Sequence, residues 1–466
     1  MTNKLLPFRF ERLTSGDILL TNELGYFTYL DSTEKLEQLI STPHEFSDEN
    51  DELETKFFLA KTIDDYNGAL SCMTSSLAYR YQSALVAPFL FMVVPTLRCD
   101  HNCLYCQVSR VNENIKGFDL ELGSISNIIS VIKKYGNAPY KIEFQGGEPL
   151  LAFTYIQKFI FQFDKEVGQG NVAYVIATSL SKISDDILLW AKNLNVEFSI
   201  SLDGTQTVHD ANRRHVVSSS HDMVVDGVRK IINIIGRNRV ATVTTVTKDA
   251  IMNPIDIIDA HVLLGFKDIF VRPISPYGFA TKKYESYSID EYLEFYEILL
   301  NNIIDNYENI RIIEHGLLIH LKKIYRSGFN SYVDLKSPAG YVMGALVFDY
   351  TGKVFGSDEA RMLYKTYEVD SLVLGDVSKE FNLNKNIDLI NTLSSTFITE
   401  TPGCDECAYL PFCGSDPMHH LSTQSDLVGD KSISRFCGYQ KGTFDIIFRL
   451  LKNDKAKAVF EDWLSE

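Results

Sequence analysis

Three cysteines within eight residues carry the clearest chemical signal in the chain. Cys99, Cys103 and Cys106 have the spacing C-x3-C-x2-C. Three thiolates on one short loop can hold three irons of a cubane iron–sulfur cluster, whereas an electron-transfer cluster normally has four cysteine ligands. The remaining iron would be open to a small molecule, and an open position is typical of catalytic metal sites. A zinc loop is the alternative, but zinc sites usually pair two short cysteine knuckles, or one knuckle with histidine.

A second group of cysteines lies later in the chain. Cys404, Cys407 and Cys413 have the spacing C-x2-C-x5-C, and Cys437 follows at a distance. Four thiolates fill a cubane completely, so this group predicts a cluster without an open iron. A structural zinc site with four cysteine ligands is the alternative.

Two further motifs follow predicted strands. Gly146-Gly147-Glu148-Pro149 comes directly after one strand, where glycines allow a ligand to approach the backbone closely. Ser201 ends another strand in the run Ser-Leu-Asp-Gly, and Arg213 follows in the run His-Asp-Ala-Asn-Arg. A guanidinium can bind a carboxylate through two parallel hydrogen bonds. Each motif alone is compatible with an ordinary turn.

In combination, these motifs resemble the radical S-adenosylmethionine (SAM) enzymes over about residues 88–439. The resemblance implies that SAM chelates the open iron of the Cys99/Cys103/Cys106 cluster through its amino and carboxylate groups. It also implies that the backbone of the Gly146–Pro149 motif contacts the SAM amino group.

The resemblance extends to individual SAM contacts. Ser201 and Arg213 match positions that help to hold the SAM carboxylate, and Tyr105 matches an aromatic residue that packs near the adenine. Thr178-Ser179 stands where relatives often have Thr-Asn in contact with the ribose. Ser179 departs from that pattern.

The second cysteine group resembles the SPASM extension of radical SAM peptide maturases, which holds two auxiliary clusters. This chain has Pro417 and Ser357 at positions where that family has cysteine. The ligands of the first auxiliary cluster are therefore missing and those of the second are complete, which predicts two [4Fe–4S] clusters in total, not three. Asp358 aligns with a catalytic base of anaerobic sulfatase-maturating enzymes, and a carboxylate beside a substrate can accept a proton. The neighbouring pair His419-His420 is expected to pack together, with a substrate contact as the alternative.

The elements that must position these motifs alternate between strands and helices, which predicts an α/β fold with a parallel sheet. Six strand–helix units suit a partial (β/α)6 TIM-type barrel, in which chemistry collects at the carboxyl ends of the strands. The expected strands are Phe89–Val94, Lys141–Phe144, Ala173–Thr178, Glu197–Ser201, Val240–Val246 and Asp268–Arg272. The expected helices include Asp119–Tyr135, Ile183–Leu194, Met223–Ile235 and those of Ile289–Gly328.

Three domains are expected from this pattern: residues 1–85 as a small N-terminal α+β domain, 86–330 as the barrel, and 331–466 as the iron–sulfur-binding extension with a C-terminal helix. The first begins with a hairpin of Ile18–Asn22 and Tyr26–Leu30 and a helix at Ser32–Ile40. It loosely resembles the winged-helix-like domain with which peptide-modifying radical SAM enzymes grip a leader peptide. A packing extension of the barrel is the alternative.

Composition narrows the function classes. The 466 residues carry a formal net charge of −16, so nucleic acid is an unexpected partner. Neither a signal peptide nor a membrane-spanning run is evident. Seven of the eight cysteines fall into the two groups, which favours metal ligation in a reducing cytoplasm over disulfides. Cys72 is expected to be a small buried residue.

The resemblance implies an enzyme that cleaves SAM reductively to a 5′-deoxyadenosyl radical. The radical would abstract hydrogen from a small ribosomally made precursor peptide and install a crosslink, an oxidation or an epimer. The motifs resemble the His-Xaa-Ser system radical SAM maturases, and more distantly the anaerobic sulfatase-maturating enzymes. An external donor such as flavodoxin or ferredoxin would supply the electron. The alternatives are a formylglycine-generating sulfatase maturase and a non-catalytic iron–sulfur scaffold.

Overall fold

The structure is a computed structural model that describes residues 4–46, 51–84, 90–326, 344–380, 382–387, 391–392, 396 and 398–465. The expected domain boundaries near residues 85 and 330, and the expected start of the first barrel strand at Phe89, lie outside these residues.

Twenty strands and sixteen helices of the described residues form the fold. The strands are β1 Lys4–Leu5, β2 Arg9–Arg12, β3 Ile18–Thr21, β4 Phe27–Leu30, β5 Leu59–Ala60, β6 Leu90–Thr96, β7 Arg98–Cys99, β8 His101–Cys103, β9 Val111–Asn112, β10 Tyr140–Gly146, β11 Val172–Thr178, β12 Val196–Ser201, β13 Arg213–His215, β14 Val240–Val246, β15 Asp268–Ile269, β16 Val271–Pro273, β17 Ile313–Glu314, β18 Ala345–Phe348, β19 Lys353–Phe355 and β20 Val373–Asp376. The α-helices are α1 Thr33–Ser41, α2 Glu52–Thr55, α3 Ile63–Ala84, α4 Ile125–Tyr135, α5 Phe153–Val167, α6 Asp185–Ala191, α7 Gln206–Asn212, α8 Ser220–Ile234, α9 Lys248–Ile251, α10 Pro254–Leu263, α11 Ile289–Ile310, α12 His315–Tyr325, α13 Asp358–Tyr367, α14 Pro417–Gln424, α15 Arg435–Leu450 and α16 Asp454–Ser465.

A nine-stranded sheet forms the centre of the molecule, in the order β16-β14-β12-β11-β10-β6-β18-β19-β20. The six strands from β6 to β16 are parallel to one another, which confirms the predicted partial barrel. Strand β18 extends it in parallel beside β6, and β19 and β20 follow antiparallel. All seven residues of β6 are buried, as expected of a central strand of a parallel sheet covered on both faces.

The predicted barrel strands agree with the observed ones, with one difference. The run Asp268–Arg272 was expected to be a single strand, but it divides into β15 and β16. Strand β15 pairs with β17, whereas β16 pairs with β14. Between them, the carbonyl of Phe270 accepts a hydrogen bond from the Thr244 amide at 2.8 Å. The two halves of the run thus pair with different strands, and strand pairing cannot be read from a sequence pattern.

The N-terminal hairpin is present as β3 and β4, which form a three-stranded antiparallel sheet with β2. Helix α1 follows as expected. This unit packs on the second cysteine region, because the Thr21 hydroxyl donates to the Ala408 carbonyl at 2.6 Å. The Tyr29 hydroxyl likewise donates to the Phe448 carbonyl at 2.8 Å.

Cys72 was expected to be buried and is exposed. It lies on α3, whose buried side chains in this stretch are Ala69 and Met73. Successive helical positions lie about 100° apart, so Cys72 does not share the face of Met73.

No helix in the described part of the chain is both long and apolar enough to cross a membrane.

Two buried histidines predict an acid-sensitive fold. Burial lowers the pKa of His261 and of His320 to about 4, from about 6.5 in an unfolded chain. As pH falls below 6.5 the unfolded state binds protons first, so stability is present above that pH and is lost towards pH 4. Each histidine should contribute up to about 3 kcal/mol to this loss.

Urea unfolding at pH 7.5, 6 and 5 measures the effect. We expect His261→Gln to flatten the fall in the free energy of unfolding, while the same change at exposed His44 leaves the wild-type slope. Equal slopes for both variants would contradict the assignment to His261.

Candidate active site

The first cysteine group lies on a loop beyond the carboxyl end of β6. Cys99 ends β7, Cys103 ends β8, and Cys106 follows in the next turn. Burial raises the pKa of Cys103 to about 11 and raises that of Cys99 still further. Bare thiolates are therefore disfavoured at neutral pH. This donor set suits a metal centre, whose positive charge compensates the thiolates.

A buried charged network supports this loop from behind. Asp100 lies 2.8 Å from His101 Nδ1 and 3.1 Å from Lys182 Nζ. Although burial opposes it, hydrogen bonds from His101 and Ser181 hold the pKa of Asp100 below its usual value. His101 Nε2 also lies 2.9 Å from the Ser220 hydroxyl on α8. The sequence analysis did not identify this network, because its partners are distant in the chain.

The Gly146–Pro149 motif packs directly against the backbone that leads into the cysteine loop. A Cβ at Gly146, whose φ is +130°, would lie 2.2 Å from the Thr96 carbonyl oxygen. One at Gly147 would lie 2.2 Å from the Arg98 carbonyl oxygen. The amides of Gly147 and Glu148 donate to these two carbonyls at 3.0 and 2.8 Å. Glycine is therefore required at both positions because the two backbone segments pack too closely for a side chain, whether or not a ligand also approaches them.

Glu148 connects this motif to the next strand. Its buried carboxylate accepts hydrogen bonds from the Thr178 hydroxyl at 2.7 Å and from the Ser179 amide and hydroxyl at 2.8 and 2.7 Å. It also accepts one from the Leu150 amide at 3.1 Å, while Pro149 begins a short 3-10 helix. Ser179 thus holds the loop through Glu148, a role that the sequence did not suggest.

Tyr105 and Arg213 belong to one buried cluster. The Tyr105 hydroxyl donates to Asp203, and Arg213 Nη1 donates to the Tyr105 oxygen at 3.0 Å. Strand β13 pairs antiparallel with β8, which places Arg213 opposite Cys103. Arg213 Nε is buried and has no hydrogen-bond partner among the described residues. A guanidinium beside the cysteine loop, in the lining of the same cavity, fits an anionic group such as the carboxylate of SAM.

One cavity of about 280 Å³ gathers most of the predicted cofactor residues. They lie at or after the ends of the parallel strands β10, β11 and β12, on β13 and on the cysteine loop. The predicted residues that line it are Cys99, Cys103, Tyr105, Cys106, Gly146, Gly147, Ser179, Ser201 and Arg213. Glu148 and Pro149, which were also predicted, do not line this cavity.

The second cysteine group is assembled from two turns and the first turn of α15. The thiols of Cys404, Cys407, Cys413 and Cys437 lie close enough for several of them to raise one another's pKa, although burial is the larger cause. Lys323 on α12 is buried beside Cys413, and burial lowers its pKa to about 8. Buried thiolates with a buried cation nearby suit a metal centre of net negative charge.

The sulfur atoms of the second group are not gathered around one point. Among the described residues, only Cys99, Asp100 and His101 bring three possible ligand atoms within 4.8 Å of one another. Tetrahedral zinc with Zn–S bonds of about 2.3 Å would hold its sulfurs roughly 3.8 Å apart. The second group does not reach this spacing among the described residues, and the identity of its metal stays a prediction from the cysteine pattern.

Asp358 is the first residue of α13, and its carboxylate accepts a hydrogen bond from Arg361 Nε at 2.7 Å. Both side chains are buried. A second cavity of about 220 Å³ is lined by Ser357, Glu359 and Pro417. Asp358 lines neither this cavity nor the cofactor cavity. The catalytic role of Asp358 therefore stays a prediction, and the structure brings Glu359 to the cavity instead.

The glycine contacts give a testable prediction. Gly147→Ala forces a methyl group against the Arg98 carbonyl, and overpacking of this kind costs about 1–3 kcal/mol. Because the contact lies at the entrance to the cysteine loop, iron bound after anaerobic reconstitution should also fall. Gly123→Ala is the control, since a Cβ there meets nothing within 4 Å. Equal iron content and equal urea midpoints in the two variants would rule out this role.

Comparison with known proteins agrees with this geometry. Residues 93–255 match the model of the Radical SAM superfamily. The chain is 34% identical over 111 residues to an uncharacterized protein of Methanocaldococcus jannaschii. It is 32% identical over 121 residues to a cysteine-type anaerobic sulfatase-maturating enzyme of Clostridium novyi. These matches cover 24% and 25% of this chain, and only 37% and 32% of the two relatives.

Solved structures share the fold. The structure of anSMEcpe with bound AdoMet matches 80% of this chain and 98% of its own, with a TM-score of 0.65 and 17% identity. Streptococcus suis SuiB bound to its precursor peptide SuiA matches 92% and 98%, with a TM-score of 0.54 and 13% identity.

Proposed function

Since the chain contains a radical SAM domain, we propose that it binds SAM in the 280 Å³ cavity, cleaves it reductively, and uses the resulting radical to modify a ribosomally made peptide. The observation that carries the proposal is the convergence of the Cys99 loop, the two glycines and Arg213 on one cavity.

The residues have separate tasks in this proposal. The three thiolates would hold a [4Fe–4S] cluster, which supplies one electron to break a carbon–sulfur bond of SAM when both are bound. Arg213 would orient the SAM carboxylate, and Tyr105 would hold Arg213 in place through its hydroxyl. Ser201 would face the same ligand from the end of β12.

A peptide substrate is supported by the solved relatives. SuiB was crystallised with its precursor peptide, and anSMEcpe was crystallised with peptides as well as with AdoMet. We propose that the N-terminal unit binds the leader part of such a peptide, because its sheet and helices precede the barrel and contact the second cysteine region. A small donor such as flavodoxin or ferredoxin would supply the electron, in the cytoplasm.

A second candidate function is oxidation of a sulfatase to its formylglycine form, favoured by the match to the Clostridium novyi enzyme. Ser357 and Pro417 argue against this function, because the resembling sulfatase maturases have cysteine at these two positions. For the same reason we propose one auxiliary cluster, held by Cys404, Cys407, Cys413 and Cys437, and hence two clusters per chain.

Anaerobic co-expression with any small peptide encoded beside this chain's gene tests the function. We expect a mass change in the peptide that requires the chain, and 5′-deoxyadenosine from purified enzyme, SAM and dithionite. A sulfatase-derived peptide converted instead would favour the second candidate. Absence of 5′-deoxyadenosine from protein with full iron content would refute the radical chemistry.

A further inference from the structure

A groove of about 560 Å³ borders the cysteine loop and is separate from the cofactor cavity. Residues of β8 and β9 line one part of it, and residues of segment 279–283 line the other. The groove and the cofactor cavity have only Cys103 and Arg110 in common. Whatever occupies the groove therefore lies beside one of the three cysteines that would hold the cluster.

The charged residues that line the groove are all positive. They are Arg110, Lys282 and Lys283, and both lysines are exposed. Among the described residues, no carboxylate forms an ion pair with any of the three. The whole chain, in contrast, has 61 acidic and 45 basic residues. A positive groove on an acidic protein attracts a negatively charged partner and speeds its association.

The positive charge of the groove lies close to the cluster site. Burial raises the pKa of Cys103 to about 11, and the charges of Arg213 and Arg110 oppose that rise. Arg110 also donates a hydrogen bond to the side chain of Asn102, which precedes Cys103 on β8. The groove thus brings a cation next to one thiol of the predicted cluster.

The segment that carries the two lysines is fixed to the cysteine loop. The Ala280 amide donates to the Cys106 carbonyl at 3.1 Å. A Cβ at Gly278 would clash with the Gln107 carbonyl, so the two backbones are in direct contact there. Between these contacts Phe279 is 41% exposed and lines the groove. Exposed aromatic residues are common anchors of protein interfaces, and a partner bound to this one would be held at a fixed place relative to the cluster ligands.

The occupant follows from what the proposed reaction needs. Reductive cleavage of SAM takes one electron from outside the chain, while SAM itself would fill the cofactor cavity. A peptide substrate has to enter that cavity, from which the groove is separated by Cys103 and Arg110. A reductant only has to come close to a cluster ligand, because electron transfer slows steeply with distance. The charge of the groove selects a reductant with an acidic surface.

We propose that this groove is the docking surface for the reductant of the cluster, and that the reductant is a small electron-transfer protein with an acidic surface. One electron passes from the docked protein to the cluster beside Cys103. The donor is oxidised by one electron, the cluster is reduced by one, and no atom is transferred. This inference rests on the proposed function and adds the surface through which its electron arrives.

Charge reversal of the two lysines tests the surface. Lys282→Glu/Lys283→Glu leaves every residue of the cofactor cavity unchanged. Reduced flavodoxin and reduced ferredoxin, both acidic, are the probe donors, and dithionite is a small reductant that needs no docking surface. At about 50 mM salt, we expect 5′-deoxyadenosine formation with the better protein donor to fall at least about tenfold. Formation with dithionite should stay at the wild-type rate.

Direct binding gives a second measurement that does not depend on SAM cleavage. Calorimetry on the iron-loaded protein should show that the dissociation constant of the same donor rises at least about tenfold in Lys282→Glu/Lys283→Glu. Binding to the wild-type protein should weaken as salt is raised, because ions screen exposed charges.

The matched control is Lys165→Glu/Lys230→Glu, which changes the net charge by the same amount. These lysines are exposed on α5 and α8, and neither lines the groove. The control should keep wild-type binding and rates. An equal loss in the control, or no loss in Lys282→Glu/Lys283→Glu, overturns the inference. An equal loss with dithionite and with the protein donor also overturns it, because the segment would then support the cofactor site itself.

The same samples separate this inference from the proposed function. Cleavage of SAM with dithionite in wild-type protein that binds neither protein donor refutes the docking surface alone. Lysine-dependent donor binding in iron-loaded protein that forms no 5′-deoxyadenosine refutes the radical chemistry and leaves the docking surface standing. Weaker binding of the peptide in Lys282→Glu/Lys283→Glu, with donor binding unchanged, would assign the groove to the substrate and overturn the inference.

Discussion

Simultaneous replacement of Cys99, Cys103 and Cys106 by alanine should abolish formation of 5′-deoxyadenosine from SAM, a loss of at least about 10⁴-fold, as for other residues that act as one catalytic unit. The structure gives the reason. All three thiols line the cavity that also holds Arg213 and the two glycines, and the described residues provide no second cysteine group in contact with it. Iron content should fall by about half, to the amount held by the second group.

The control for this variant is Cys72→Ala, since Cys72 is an exposed cysteine on α3, outside both groups. It should keep wild-type iron content and SAM cleavage. Persistent cleavage of SAM by the triple variant would contradict the site assignment, and loss of all iron would show that the two cysteine groups depend on each other.

The sequence was sufficient for the elements that local pattern determines. The six barrel strands and the hairpin of β3 and β4 follow from runs of β-branched and aromatic residues. The cysteine spacings were informative because all three cysteines of the first group, and three of the four in the second, lie within ten residues of one another. Contacts between side chains on different strands of the sheet could not be predicted from local sequence patterns.

Glu148 shows why. Its residue type and its place after a strand gave no sign that its carboxylate would accept hydrogen bonds from Thr178 and Ser179, thirty residues later. The same holds for Arg213, which reaches the cysteine loop because β13 pairs with β8. Pairings of this kind depend on the path of the chain between the strands.

A sequence motif also does not show which of two adjacent carboxylates faces a cavity. Asp358 and Glu359 both begin α13, and a motif match pointed to Asp358. Successive helical side chains point about 100° apart, so only one of the two could face a given cavity. The orientation of α13 brings Glu359 to the second cavity and leaves Asp358 beside Arg361. A sequence does not contain that rotation.

Simultaneous replacement of Cys404, Cys407 and Cys413 by alanine should remove the auxiliary cluster and leave the first one in place. We expect iron to fall from about eight to about four atoms per chain. The variant should still cleave SAM, because the Cys99 loop and its cavity share no residue with the second group. Turnover of the peptide should fall if the auxiliary cluster relays electrons, and should persist if that cluster is structural.

Stability should respond more strongly than SAM cleavage. A metal site contributes its binding free energy to folding, and this one lies under the N-terminal unit, where Thr21 donates to the Ala408 carbonyl and Arg9 to the Asp405 carbonyl. Loss of the cluster should therefore lower the melting temperature by about 5–10 °C and expose the β2–β3 hairpin to proteolysis. Cys72→Ala is again the matched control. Zinc in the wild-type protein, or unchanged iron in the variant that lacks Cys404, Cys407 and Cys413, would contradict a [4Fe–4S] cluster at this site, because the one remaining thiolate does not hold a cubane.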